Sequence, residues 1–216
     1  FSIQLDAVVR QAKGSGILHN ATLLRNQLNN QLYDSFKFEV SEYKDISYTN
    51  NGMDLFEAIG DAFRDSGTDQ TVFIVRSNKR ANIYNENIRK RILGLEDDLS
   101  VGDQLMVVKN NYFWLTPESK PGFIANGDVI QIESIQMRKE IYGFSFAEVT
   151  VSLVDYPEEE FFDTVLLLET LTSETPSLSF EDGNRLYQEV LKDFNSEKSK
   201  YKKFLKVKSN KFFNAL

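Results

Sequence analysis

The fold is decided by the stretch 104–128, in which QLMVVK (104–109) is followed by NNYFW (110–114) and later by ANGD (125–128). The first run predicts a strand that ends where three consecutive aromatic residues begin. Asn-Gly readily takes the positive φ angles of a tight turn, so residues 125–128 are typical of a hairpin. Aromatic side chains exposed to water at a strand end cost free energy unless the protein covers them or a ligand binds to them. One use is stacking on nucleic-acid bases.

The chain around and after this stretch has the pattern of a small antiparallel β-structure. Strands are predicted at 104–109, 128–138, 144–154 and 161–170, joined by short turns that contain Gly or Pro. This spacing suggests a small barrel or sandwich. A long helix is expected to follow from Ser179 to about 205, with Asp182 completing a weak capping box.

The chain before residue 96 has a different pattern, in which helices and strands alternate. Apolar residues at helical spacing predict helices at 15–32, 53–63 and 78–93. Residues 36–40 alternate as a strand, and the apolar run 71–75 is typical of a strand buried on both faces. This order favours a piece of an α/β layer.

Composition narrows the class of protein. The 216 residues are 41% hydrophobic, which is enough to build a core in one or two domains and excludes wholesale disorder. There is no cysteine, which excludes disulfides and thiolate chemistry and fits a reducing compartment, so we expect a cytoplasmic protein. No apolar stretch approaches the length of a membrane span, so no membrane partner is expected. The first residue is Phe1 rather than Met, and we interpret the chain as a fragment or processed product.

The net charge of −7 is unevenly distributed, with two basic zones and one acidic zone. Residues 76–91 contain six Lys or Arg and one acid, and residues 192–211 contain eight lysines and two acids. Residues 155–182 contain nine acids and no Lys or Arg. Because a binding partner responds to the local field, both nucleic acid and a basic partner stay possible.

The sequence offers little for autonomous catalysis. It contains no Gly-Lys-Ser/Thr, so there is no phosphate-cradling P-loop. His19 is the only histidine, which argues against a histidine metal cluster or a Ser-His-Asp triad. The run Glu158–Glu160 is better explained as a solvated acidic loop than as a metal site, because adjacent carboxylates point in different directions.

Three segments together resemble bacterial superfamily 1 DNA helicases of the RecD/Dda type. VVRQAKGSGIL (8–18) resembles the opening of their second RecA-like lobe, and TVFIVRSNKRAN (71–82) resembles the next signature of that lobe. GDQLMVVKNNY (102–112) with ANGD (125–128) resembles the start of the SH3-like barrel inserted into the lobe. The match covers residues 1 to about 135, whereas residues 140–210 match nothing in the family pattern.

The resemblance implies a fold and a division of the chain. It implies a partial RecA-like α/β lobe over 1–97, an SH3-like antiparallel barrel with a helical elaboration over 98–208, and a return toward the lobe over 209–216. The family's P-loop and magnesium-binding motif are absent from this chain. ATP and Mg²⁺ are therefore expected as cofactors of the intact protein, and the isolated piece is expected to be inactive as an ATPase.

The resemblance also implies roles for single residues. The arginine that matches Arg10 reaches the γ-phosphate across the cleft in the family, which suits a guanidinium because its fork grips phosphate oxygens; Gln11 is a weaker candidate for the same pocket. Without the resemblance, an ordinary surface arginine is the better interpretation of Arg10. The expected single-strand contacts are Arg76, Ser77, Asn78, Lys79, Arg80, Tyr112 and Trp114.

The single-strand contacts have alternatives. Ser77 or Asn78 is equally well explained as a plain N-cap, which is compatible with phosphate binding. Of Tyr112, Phe113 and Trp114, one or two are expected to plug the end of the barrel, Phe113 above all. Arg89, Lys90 and Arg91 are expected on a solvated face.

The sequence therefore predicts a fragment of an ATP-dependent DNA helicase, which contributes single-strand contacts and part of the ATP cleft. Its expected partners are single-stranded DNA, the duplex junction and the first motor lobe of its own chain. One alternative is a non-catalytic nucleic-acid-binding module. The other is an acidic protein-interaction domain that uses residues 155–182.

Overall fold

The computed structural model describes residues 14–33, 35–171, 173, 175 and 178–216. Two compact units are present, Phe1–Val72 (unit 1) and Phe73–Leu216 (unit 2). The described residues combine α-helices with one antiparallel sheet, which confirms a mixed α and β class. The helices are α1 (Gly16–Asn29), α2 (Gly52–Ser66), α3 (Asn78–Arg91), α4 (Phe180–Lys192) and α5 (Lys200–Lys208). The strands are β1 (Gln104–Met106), β2 (Val129–Ile141), β3 (Phe144–Leu153) and β4 (Phe162–Leu167).

Local caps explain why the two helices of unit 1 begin close to the predicted residues, although α1 ends three residues before and α2 three residues after the predicted ends. The hydroxyl of Ser15 accepts from the backbone N–H of Leu18 at 3.2 Å, which caps α1. The Asn51 side chain caps α2 in the same way, and α2 ends at Gly67 with a φ of 79°. Gly16 is required by close packing, because a Cβ there would lie 2.6 Å from the Cβ of Tyr43.

The two strands predicted before residue 96 do not form, so these two predictions are wrong. Residues 36–40 and 71–75 have no regular secondary structure and belong to no sheet. Val72 and Ile74 are 81% and 89% exposed, which is the opposite of a strand buried on both faces. An apolar or alternating stretch becomes a strand only when a neighbouring strand pairs with it, and no described strand pairs with either of these stretches.

Unit 2 is built on a four-stranded antiparallel sheet in the order β1-β2-β3-β4. All four strands were predicted, although β1 ends at Met106, three residues early. Register shifts at 132–134 and 135–137 interrupt the pairing of β2 with β3, and such bulges curl a sheet. The β2–β3 turn places Tyr142 and Gly143 at φ 59° and 75°, the pattern of a type I′ hairpin.

The sheet buries apolar side chains on both of its faces, because residues alternate along β3. Ala147, Val149 and Val151 belong to one core, which also receives Ile130 and Ile132 from β2. Phe144 and Phe146 point the other way into a second core with Leu186 and Val190 of α4, Val207 of α5 and Phe212. Helices α4 and α5 therefore cover one face of the sheet, and the loops between the strands cover the other face.

The long C-terminal helix predicted from the sequence is in fact two helices, so that prediction is wrong. A turn follows Asp193, and Ser199 caps α5 by accepting from the N–H of Lys202 at 3.3 Å. A continuous helix over 180–205 would be about 39 Å long. Its two ends would not reach the same core, whereas the break lets Val190 and Val207 both be buried there.

An ion pair fixes α3 to the sheet. The guanidinium of Arg89 donates to both carboxylate oxygens of Asp103, at 2.6 and 2.8 Å, and to the hydroxyl of Ser100 at 3.0 Å. The solvated face expected for Arg89 is therefore wrong. The compact unit begins at Phe73, whereas the sequence placed a boundary after residue 97. At the other end, Leu216 exchanges backbone hydrogen bonds with β4, which sets residues 209–216 against the sheet.

Candidate nucleic-acid interface

The structure joins the two loops that the sequence singled out. Asn111 and Ile124 form a bridge with backbone bonds of 2.8 and 2.9 Å. The side-chain oxygen of Asn110 accepts from the backbone N–H of Asn126 at 2.8 Å. Gly127 has a φ of 100°, and the N–H of residue 128 donates to the carbonyl of residue 125 at 3.1 Å, which completes a β-turn. This aromatic loop, residues 109–126, is therefore held by its own hydrogen bonds.

The ring of Tyr112 is presented to solvent on this loop. The residue is 70% exposed, and one face of its ring stacks on Phe123, with ring centres 4.8 Å apart and planes 23° apart. The stack orients the tyrosine ring without burying it. An exposed flat ring with a fixed orientation is what base stacking requires.

Trp114 is used inside the protein rather than at the surface. Its indole N–H donates to the carbonyl of Asn214 at 2.8 Å, and the side-chain amide of Asn111 donates to the same oxygen at 3.0 Å. The ring is half-buried and packs against both cores. Phe113 lies edge-on to Trp114 at 4.9 Å and is 38% exposed. We expected Phe113 above all to close the end of the barrel, but it is Trp114 that packs against the two cores.

The N-terminus of α3 carries the second group of candidates. Ser77 caps the helix, and its hydroxyl accepts from the backbone N–H of Arg80 at 3.3 Å. Residues 76–80 are all exposed, so their cations and the first-turn N–H groups face solvent together. The capping interpretation is confirmed, and the start of a helix carries a partial positive charge that attracts phosphate oxygens.

The two groups of candidates are tied to the sheet separately. α3 is fixed through Arg89 and through Asn82, whose side-chain amide donates to the carbonyl of Ser173 at 3.0 Å. The aromatic loop is fixed through Asn111 and Trp114 to the C-terminal segment. Arg10 and Gln11, the candidates for the ATP cleft, lie outside the described residues.

Sequence reasoning missed the residue that supports the tyrosine. Phe123 follows Gly122 eleven positions after Tyr112, and no periodicity connects the two. The only available signal was the pair of asparagines in the loop, because Asn side chains often bond to nearby backbone. Both are used in this way, Asn110 to residue 126 and Asn111 to the N–H of Phe113 at 2.9 Å.

The acidic zone at 155–182 is largely occupied by internal contacts. Glu158 pairs with the ammonium of Lys120, whose hydrogen bond holds the pKa of that carboxyl below its ordinary value. Asp163 accepts from Gln136 at 2.8 Å, and Glu169 accepts from the backbone N–H of Ser145 at 2.8 Å. Fewer carboxylates are therefore available to a basic partner than the sequence suggested.

Within the described ranges, no group of three or more His, Asp or Glu side chains is arranged to hold a metal ion. No helix among the described residues combines the length and apolar character needed to cross a bilayer. No protein-family model and no curated protein matches this chain.

Proposed function

We propose that this chain is a piece of an ATP-dependent DNA helicase, in which unit 2 contributes contacts to single-stranded DNA. The observation that carries the proposal is the exposed ring of Tyr112, oriented by Phe123 on a hydrogen-bonded loop. Such a ring stacks on any base, which suits a protein that moves along a strand regardless of sequence.

The N-terminus of α3 supports the same function through charge. Arg76, Lys79 and Arg80 surround a capped helix start whose N–H groups attract anions. A strand held at its phosphates by α3 and at a base by Tyr112 has both kinds of contact that single-strand binding uses.

The motor part of the proposal rests on the resemblance of residues 8–18, 71–82 and 102–128. By this resemblance, Arg10 contacts the γ-phosphate of ATP as the catalytic residue, and Gln11 lines the same pocket. The cofactors of the intact protein are then ATP and Mg²⁺. A guanidinium supplies a fixed charge to the transferred phosphate, while nucleotide and metal are held mainly by the first lobe. Residues 1–216 alone are expected to show no DNA-stimulated ATP hydrolysis.

The partial RecA-like lobe and the SH3-like barrel belong to this proposal too. The curled four-stranded sheet of unit 2 supports a half-open barrel. The coding sequence ahead of Phe1 tests the motor: a Gly-Lys-Ser/Thr cradle is expected there, and its absence would leave the non-catalytic binding module as the better explanation.

Binding is tested by the fluorescence anisotropy of labelled oligothymidylate over a series of salt concentrations. Tyr112→Ala is expected to weaken binding by about 5- to 100-fold, because stacking is worth about 1–3 kcal/mol per base. Arg76→Ala/Lys79→Ala/Arg80→Ala should reduce the slope of log K against log salt by about 2, at about 0.7 per lost phosphate contact.

The matched control for charge is Arg25→Ala/Lys37→Ala/Lys44→Ala, which removes three exposed cations from unit 1. Phe161→Ala is the control for the aromatic change, since Phe161 is exposed in unit 2 outside both candidate groups. Equal losses in the test and control variants would contradict the assigned residues.

A further inference from the structure

The strongest uncompensated charge in unit 2 lies on α5 and the residues just before it. The stretch 198–208 contains six lysines and no acid, in a chain of net charge −7. Neither the resemblance nor the first two groups of candidates accounts for this helix. Cations concentrated on one short helix of an acidic protein call for a specific anionic partner.

The inner face of α5 is already used, which defines its free face. Val207 is fully buried in the second core, and Lys203 on the same side is half-buried. Tyr201 and Leu205 are four residues apart and project together on the opposite side, 69% and 46% exposed. The free face thus presents an aromatic ring and a leucine, with the exposed Lys202 beside them and the exposed Lys200 at the start of the helix.

Five other lysines of unit 2 form ion pairs with carboxylates, which partly neutralises their charge. Lys192 pairs with Glu189 at 2.6 Å and Lys211 with Glu148 at 2.7 Å. Within α5, Lys206 pairs with Glu197 at 3.3 Å. Among the described residues, no carboxylate forms an ion pair with Lys198, Lys200 or Lys202. Their charge is therefore available to a ligand.

We propose that the free face of α5 is a further contact for the phosphate backbone of single-stranded nucleic acid, with Tyr201 offering its ring to a base. The class of partner rests on the proposed function, whereas the site is independent of α3 and the aromatic loop. Exposed lysines beside an exposed ring match a strand whose phosphates and bases alternate along its length.

An anionic membrane is the less suitable partner for this face. A helix that binds in the bilayer interface buries a broad apolar face among the lipids. Here the most buried apolar residue of α5, Val207, faces the protein core, and the exposed large apolar side chains of the helix are only Tyr201, Phe204 and Leu205. Lysines attract phosphates of either source, but the small apolar area favours a nucleic-acid strand.

The test is the same anisotropy titration with Lys198→Ala/Lys200→Ala/Lys202→Ala. These positions precede or begin the helix, where removing positive charge favours the helix dipole, so folding should be kept. The salt slope is expected to fall by about 2, as for three lost single-strand phosphate contacts. Tyr201→Ala should weaken binding about 5-fold or more with little change in slope.

The outcomes separate this site from the proposed function. If the α5 variants bind like the unit 1 control triple while the α3 triple loses binding, the α5 site is refuted and the proposed function stands. If the unaltered chain does not bind oligothymidylate at all, both fail. Binding of the unaltered chain to phosphatidylserine vesicles that is lost in the α5 triple, without any effect on DNA, would overturn the assignment to nucleic acid.

Discussion

The two units of this chain are stabilised in different ways. In unit 2 the sheet buries apolar side chains on both faces, and several of them are completely inaccessible. In the described part of unit 1, Ile59 is the only buried large apolar side chain, and it is still 6% exposed. Polar contacts also join its segments: Asp45 accepts from Ser15 and Gly16, and Asn20 bonds to the backbone at Glu39. Apolar packing in the same part is limited to half-buried or exposed side chains, such as the contact of His19 with Tyr43. Unit 2 therefore has an extensive apolar core, whereas the described residues of unit 1 bury little apolar surface and are joined largely by hydrogen bonds.

The comparison predicts its largest effect at Phe146, which is completely buried and contacts Phe212 edge-to-face at 5.1 Å. Phe146→Ala should lower the free energy of unfolding of unit 2 by about 3–5 kcal/mol, through lost burial and the cavity left behind. Urea unfolding measures this through Trp114, the single tryptophan, which reports on unit 2. Phe38→Ala, an exposed position in unit 1, should cost unit 1 less than about 0.5 kcal/mol, measured by amide hydrogen exchange in α1 because Trp114 lies in unit 2. Similar costs at both positions would contradict the difference between the units.

The second effect concerns the attachment of α3 to the sheet. Arg89→Met leaves Asp103 buried without its bidentate partner and should destabilise unit 2 by about 3 kcal/mol. Lys90→Met is the matched control, because Lys90 makes only an exposed pair with Glu86 that is worth about 0.3–0.5 kcal/mol. The same urea titration compares the two variants, and equal midpoints would show that α3 is not held by Arg89.

A third, smaller effect is expected in unit 1 at Asn20. Its side chain donates to the carbonyls of Gly16 and Glu39 and accepts from the N–H of Glu39 at 2.8 Å. Asn20→Ala removes these bonds and should cost about 1–3 kcal/mol locally. Hydrogen exchange at the Glu39 amide measures the loss. Thr22→Ala is the control, because Thr22 bonds only to a carbonyl of its own helix, and faster exchange in both variants would argue against a role for Asn20.

These contrasts show how far sequence reasoning reaches in this chain. Helices α1, α2 and α3 begin close to the predicted residues because Ser15, Asn51 and Ser77 are caps, and a cap is a local signal. The strands of unit 2 were also predicted, since alternation along one strand reports burial of its faces.

What the sequence could not show depends on partners distant in the chain. Residues 71–75 have the composition of a strand but no strand beside them. The break after α4 follows from the shared core of Val190 and Val207, and no glycine or proline marks it. Phe123 supports Tyr112 through a contact between two turns of one loop. Arg89 is held in an ion pair and Lys90 stays exposed only because Asp103 lies beside Arg89 in the fold.

The smallest expected difference between the units is in how their stability responds to acid. The Ser15 hydroxyl, followed by the Gly16 N–H, lowers the pKa of Asp45 below its ordinary value of 3.8. A lowered carboxyl pKa stabilises the folded state above the unfolded value, and this stabilisation is lost as the pH falls below 3.8 through the folded value. Amide exchange in α1 should therefore accelerate in this window while β3 amides, held by apolar cores, stay protected. NMR titration of the Asp45 carboxyl should give a midpoint below pH 3.8, and this midpoint should rise in Ser15→Ala. A midpoint at or above 3.8 in the unaltered chain would show that the hydrogen bonds from Ser15 and Gly16 to Asp45 do not stabilise unit 1, and the contrast between the units would lose its support.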